Sequence, residues 1–342
     1  MEHLNSLIFS LCSQFGVSGF EKDISGFAVS RLSDYMDVKT DNLGNVIGEL
    51  DGGGIHILLD AHMDQKGLFV TAVEDNGFLR VASCGGMDIR VLAAHEVIVW
   101  GKKPVLGVVP STPPHLVKEE DSKKATDISE ISIDIGMSKD NALKLVKPGD
   151  RITLKSPQFK MLGNFVCSPA IDNRAGVCAI LRCLEILKDK KLNCRLTVLL
   201  SVQEETTGSG AKTGGFSIQA DEAVSVDVSF AGAPEIPTEK TGEAGKGTMI
   251  GISPALDYAI SRKLEKIARA QGIKYQLEVM GSKTGTNADH IQNAGKGAKT
   301  ALLSIPIRNM HTACEVISLE DIESTAQLMA AYILERGVKR DA

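Results

Sequence analysis

Apolar runs that end in carboxylates or histidines recur along this chain. The run from Leu196 to Val202 is apolar at nearly every position, the pattern of a strand buried on both faces, and it leads into Glu204 and Glu205. In the same way IHILLDAHMD (55–64) leads into His62 and Asp64, and AVSVDVSFAG (223–232) carries Asp227 within a short strand. Asp172 comes just before a long apolar helix, and His311 follows the strand-like TALLSIPI. A buried strand that ends in two carboxylates is costly without a cation or proton partner. Strand alternation turns neighbouring side chains in different directions, so one carboxylate can ligate a metal while the other faces a reacting water. Ligands of open α/β sheets gather outside the carboxyl ends of the strands. Two histidines and several carboxylates delivered there suit zinc or cobalt.

The rest of the pattern predicts the organisation. Leu4, Leu7, Ile8 and Leu11 have helical spacing, and Ser18-Gly-Phe-Glu21 reads as a capping box opening a second helix. DNLGN (41–45) reads as the turn of a hairpin. Asp51 and the three glycines after it read as a turn rather than a phosphate loop, since no Gly-Lys-Ser or Gly-Lys-Thr follows. From about Gly67 to Gly163 strands are short and turns frequent, which predicts a small all-β, barrel-like module. The charged stretch 118–130 within it reads as a solvated loop. Helices are expected near 174–188, 256–271 and 319–335, alternating with apolar strands. The fold class is therefore α/β, with a discontinuous layered domain over 1–66 and 163–342 and a β insertion over 67–162.

Composition narrows the function. With 342 residues, 43% apolar, 24% charged and a net charge of −5, the chain offers no electrostatic case for nucleic acid or an anionic membrane. No apolar stretch approaches the ~20 residues that cross a bilayer. The seven cysteines are scattered, form no CxxC pair and mostly lie in apolar contexts, as expected of reduced residues in a cytoplasmic protein.

Five ordered motifs, DAHMDQKGLFV, SPAIDNRAGV, SVQEETTGSGA, the Asp of SVDVS and SIPIRNMHTACEV, span nearly the whole chain. With a β insertion between the first and second, the sequence resembles the glutamyl aminopeptidase family of co-catalytic metallopeptidases, which includes the tetrahedral aminopeptidases. The resemblance implies a mixed-sheet α/β/α metallopeptidase domain and two divalent ions, zinc or cobalt. Asp172 would bridge them, His62 and Asp227 would complete one, and Glu205 and His311 the other. Glu204 would be the general base and Asp64 would orient the His62 imidazole. A cis peptide after Asp172 is implied as well. The activity implied is removal of N-terminal residues from short peptides by a homo-oligomer, dimer to dodecamer, with the β insertion at subunit contacts.

Other readings are a metal-dependent deacylase or carboxypeptidase-type hydrolase and a catalytically silent assembly protein. A glucanase is disfavoured, since aromatic residues are only 4% and there is one Trp, Trp100. The chain departs from the family pattern at Gln65, where an acid is frequent, at Asp289 and His290, and after Asp227, where an acid common near the site is missing. Asp289 reads as a residue favoured at a helix N-terminus. His115 in STPPHLV is open between an approach to the site, a subunit contact and a turn residue without a role.

Overall fold

The computed structural model describes residues 1–116, 127–234 and 236–336. Helix α1 (Glu2–Cys12) buries Leu4, Ile8 and Leu11 along one face, as their spacing predicts. Helix α2 (Lys22–Leu32) starts without a side-chain cap, so the expected capping box does not form. Glu21 instead accepts from the N–H groups of Gly19 and Gln203, and the Ser18 hydroxyl meets that of Thr206. Strands β1 (Asp37–Thr40) and β2 (Val46–Leu50) form the expected hairpin. Asp41 shapes its turn by accepting from the N–H groups of Leu43, Gly44 and Asn45. Strand β3 (His56–His62) follows.

The chain then leaves for a smaller sheet built from β4 (Gly67–Val73), β5 (Leu79–Cys84), β6 (Glu96–Trp100), β7 (Pro104–Val108), β8 (Ser132–Ile133) and β9 (Arg151–Leu154). Its order is β7-β6-β9-β4-β5-β8, antiparallel throughout. A further antiparallel bridge between Val108 and Asp134 brings β7 back to the end of β8 and nearly closes a barrel. Leu68, Val70, Val81, Val97, Val99 and Ile152 fill it, every second residue of their strands. Helix α3 (Lys139–Leu145) interrupts the all-β texture and escaped prediction because it is short and buries only Ala142. Of the charged stretch 118–130, residues 118–126 lie outside the described residues, and Asp127 caps a short turn at Ile128–Glu130.

The larger sheet resumes with β10 (Phe159–Lys160) and β11 (Phe165–Ser168), followed by α4 (Ile171–Leu187), β12 (Arg195–Ser201), α5 (Ser209–Ile218) and β13 (Glu222–Phe230). Then come β14 (Thr248–Ile252), α6 (Tyr258–Gln271), β15 (Tyr275–Val279), α7 (Ala288–Ile291), β16 (Lys299–Arg308), β17 (Glu315–Ser318) and α8 (Leu319–Arg336). The strand order is β1-β2-β12-β3-β13-β16-β17-β11-β10, with β14 on β16 and β15 on β14. Its centre, β12-β3-β13-β16, is parallel. Leu196, Val198 and Leu200 pack into one core with α1, α4, α6 and α8, whereas Leu199 faces Leu58, Ala211 and Ile291 on the other side. Apolar burial on both faces is why these strands read as continuous hydrophobic runs. Among the described residues no helix is long and apolar enough to cross a membrane.

Asn45 joins the hairpin to the end of β12. Its side-chain oxygen accepts from Val202 N–H at 3.0 Å, and its amide donates to Asp41 at 2.6 Å and to the Gly210 carbonyl at 3.1 Å. Asn45 is fully buried. Asn45→Ala leaves these groups without partners and should cost about 2–4 kcal/mol of unfolding free energy. Urea denaturation checks this, and a loss below about 0.5 kcal/mol would remove Asn45 as the tie.

Candidate metal centre

In the parallel register of β12 and β3, Ser201 stands opposite His62, so both strands end at the same level. The chain beyond each is then stitched by one side chain. Asp64 accepts from the N–H of Glu204 at 3.0 Å and of Glu205 at 3.1 Å, one on each carboxylate oxygen. Its Oδ1 also lies 3.3 Å from His62 Nδ1. Burial works against its charge, but His62 and the Glu204 N–H more than offset this and hold the carboxyl below its usual range.

With Nδ1 turned to Asp64, His62 presents Nε2 to three carboxylates: Asp172 at 3.4 Å, Asp227 at 3.7 Å and Glu204 at 3.8 Å. Asp172 enters from the start of α4, its N–H donating to Glu315 Oε2 and its peptide bond to Asn173 cis. Asn173 donates to the Val226 carbonyl, which ties this turn to β13 beside Asp227. His311 sits between β16 and β17 with φ 69°, its N–H donating to Glu315 Oε1 at 3.0 Å. Its Nδ1 contacts the Gly86 carbonyl at 2.7 Å, which fixes a proton there and turns Nε2, free to ligate, toward Asp172 Oδ2 at 3.6 Å.

All six expected ligand and base residues and Asp64 therefore meet at one place. Two residues that the sequence reading missed meet them there. Glu315, fully buried, holds the backbones of both Asp172 and His311. Burial and the neighbouring Asp172 push its carboxyl up to about 8. Lys66 donates from Nζ to Asp172 Oδ2 at 2.6 Å and to Glu205 Oε1 at 2.7 Å. The signal for each was a charged residue inside an apolar segment, KGLFV and CEVIS.

His62, Asp172 and Glu205 offer ligand atoms all within 4.8 Å of one another, and Asp227 borders the same space. One imidazole among carboxylates fits a divalent ion. Burial first, then the neighbouring acids, pushes Glu204 up to about 8 and Glu205 up to about 7, the mark of a centre short of positive charge. The second expected donor set, Asp172, Glu205 and His311, does not fit an ion in the same way: the Lys66 ammonium holds Glu205 Oε1 and Asp172 Oδ2, the oxygen that His311 faces, whereas Asp172 Oδ1 faces His62.

Of the remaining residues, Asp289, His290 and His115 have surroundings of their own, whereas Gln65 lines the same cleft as Lys66, Asp172 and His311. Asp289 accepts from Thr284 and Gly285 in its own turn, His290 lies against Gly208, and His115 is exposed on a short turn. Gln65 reaches the fully buried Arg174 at 3.5 Å.

A family model described as M42 glutamyl aminopeptidase matches residues 44–328. The chain belongs to this family. A lysyl aminopeptidase from Pyrococcus furiosus is 32% identical over 326 residues, 94% of each chain. Among solved structures, aminopeptidase APDkam598 from the archaeon Desulfurococcus kamchatkensis superposes with a TM-score of 0.92 at 30% identity, covering 98% of this chain and 95% of that one. The TET1 peptidase of Pyrococcus horikoshii, which can assemble into a tetrahedron or a large octahedral shell, gives a TM-score of 0.87 at 32% identity, with 97% and 99% covered. This M42 chain thus shares a mixed α/β architecture and a small, nearly closed barrel with metallopeptidases.

Asp64→Asn places an amide N–H against one of the two backbone N–H groups it now accepts. Metal affinity should fall about 10–100-fold. Competition with a zinc chelator measures this, and an unchanged affinity would contradict the positioning role of Asp64.

Proposed function

We propose that the chain is a metal-dependent aminopeptidase that releases N-terminal residues from short peptides. The observation that carries this reading is Glu204, a partly buried carboxylate 3.8 Å from the imidazole of a candidate metal ligand. Membership of the M42 family and its aminopeptidase relatives support it.

In this reading His62, Asp172 and Asp227 would hold a divalent ion, zinc or cobalt, with Glu205 in reach. When bound, such an ion brings the pKa of a coordinated water near ~7 and polarises a carbonyl. Glu204 accepts the proton of the attacking water at its carboxylate and returns it to the departing amine. Asp64 keeps the imidazole of His62 turned so that Nε2 faces Asp172, Asp227 and Glu204. Peptides enter by the cleft lined by Lys66, Met87, Asp172, His311 and Thr312. Residues 67–162 form an inserted unit between the two parts of an α/β/α catalytic domain, and the protein assembles as a homo-oligomer, as its TET relative can.

Aminoacyl-anilides and dipeptides should be hydrolysed, with activity lost on chelation and restored by zinc or cobalt. N-acetylated peptides should resist, and their cleavage would favour a deacylase instead. Glu204→Gln should retain bound metal while turnover falls about 10²–10⁴-fold. A fully active Glu204→Gln enzyme would show that the base lies elsewhere.

A further inference from the structure

We infer that Lys66 is a built-in cation standing where a second metal ion would bind, so that the centre holds one ion per chain. This rests on the metal-dependent reading of the same site. The Lys66 ammonium is 2.6 Å from Asp172 Oδ2 and 2.7 Å from Glu205 Oε1, and 4.0 Å from Glu315 Oε1. His311 Nε2 lies 3.6 Å from the same Asp172 oxygen. Asp172, Glu205 and His311 are the donors expected for a second ion, and here they gather around an amine.

Direct ligation places a divalent ion at about 2.0–2.2 Å from a carboxylate oxygen. An ion bound by Asp172 Oδ2 and Glu205 Oε1 would have to take lone pairs that the ammonium now uses, against its like charge. Displacing Lys66 is also costly. Its side chain is only 6% exposed, and the carboxylates of Asp172, Glu205 and Glu315 around it are buried as well. Removing one member of such a group leaves uncompensated buried charge. The neighbouring backbone accommodates the amine's stem. Gly85 has φ +87°, and a β-carbon there would lie 3.1 Å from Lys66 Cγ and 3.3 Å from Glu205 Cβ.

An ammonium supplies one positive charge and directed N–H groups, but it has no coordination position for a water. Lys66 therefore balances and orients Asp172 and Glu205. Activation of the nucleophile falls to the other side of the centre, where His62 faces Glu204. Lys66 is a positioning residue in this scheme.

The test is metal stoichiometry. The purified full-length chain is saturated with zinc, freed of excess, and counted by inductively coupled plasma mass spectrometry. The wild type should hold one zinc per chain, Lys66→Met two, and Lys66→Met with His311→Ala one again. His311→Ala alone should stay at one. Should Lys66→Met fail to fold, anomalous diffraction from zinc-soaked wild-type crystals decides the matter. One peak beside His62, with the amine still on Asp172 and Glu205, is expected. Two zinc ions in the wild type, or one in a folded Lys66→Met, overturns the inference while leaving the aminopeptidase reading intact. A wild type holding one zinc that cleaves no peptide fails that reading and not this one. A wild type holding none overturns both.

Discussion

One carboxylate bound to two successive peptide N–H groups underlies the centre. Asp64, two residues past the end of β3, accepts from Glu204 and Glu205 just past the end of β12. Parallel pairing brings the two strand ends to one level but says nothing of where the chain goes next. Asp64 sets that. It turns Glu204 and Glu205 into the space that His62 faces. Hydrogen bonds to a charged acceptor inside a protein are stronger than neutral ones, and here they replace the solvation that a buried carboxylate has lost.

Charge balance is the second constraint. Asp172, Glu204, Glu205, Asp227 and Glu315 crowd a buried space shared with His62 and Lys66. The imidazole of His62 is buried, which alone disfavours its protonation, yet the surrounding acids push it well above the usual range. Lys66 is likewise held well above an ordinary lysine against the effect of burial, by Asp172, Glu205 and Glu315. Positive charge is thus in demand throughout, and the protein meets part of that demand covalently.

Most of the centre was legible in the sequence because most of its residues follow from a strand end. His62, Glu204, Glu205 and Asp227 come at or just past the ends of apolar runs, or within one; the sheet brings those strands side by side by register, and Asp64 turns Glu204 and Glu205 inward. Asp172 and His311 were legible through the motifs around them. Lys66 and Glu315 were not, because a single charge beside an apolar segment reads as a residue turned to solvent. Only the convergence of three separate segments shows that it points inward. The capping box at Ser18 failed for a related reason: its Glu found better partners in Gly19 and Gln203 than in its own helix. Helix α3 is too short for periodicity to reveal.

The aim of His311 comes from outside the larger sheet. The carbonyl that fixes its ring belongs to Gly86, just past β5 of the barrel, and Ala313 beside it is packed into the barrel's own core. The smaller sheet is therefore more than a lid or an adaptor. It forms one wall of the cradle, and without it the ring nitrogen of His311 turned away from Asp172 would lose its partner. The smaller sheet thus supplies part of the tautomer control that the centre needs.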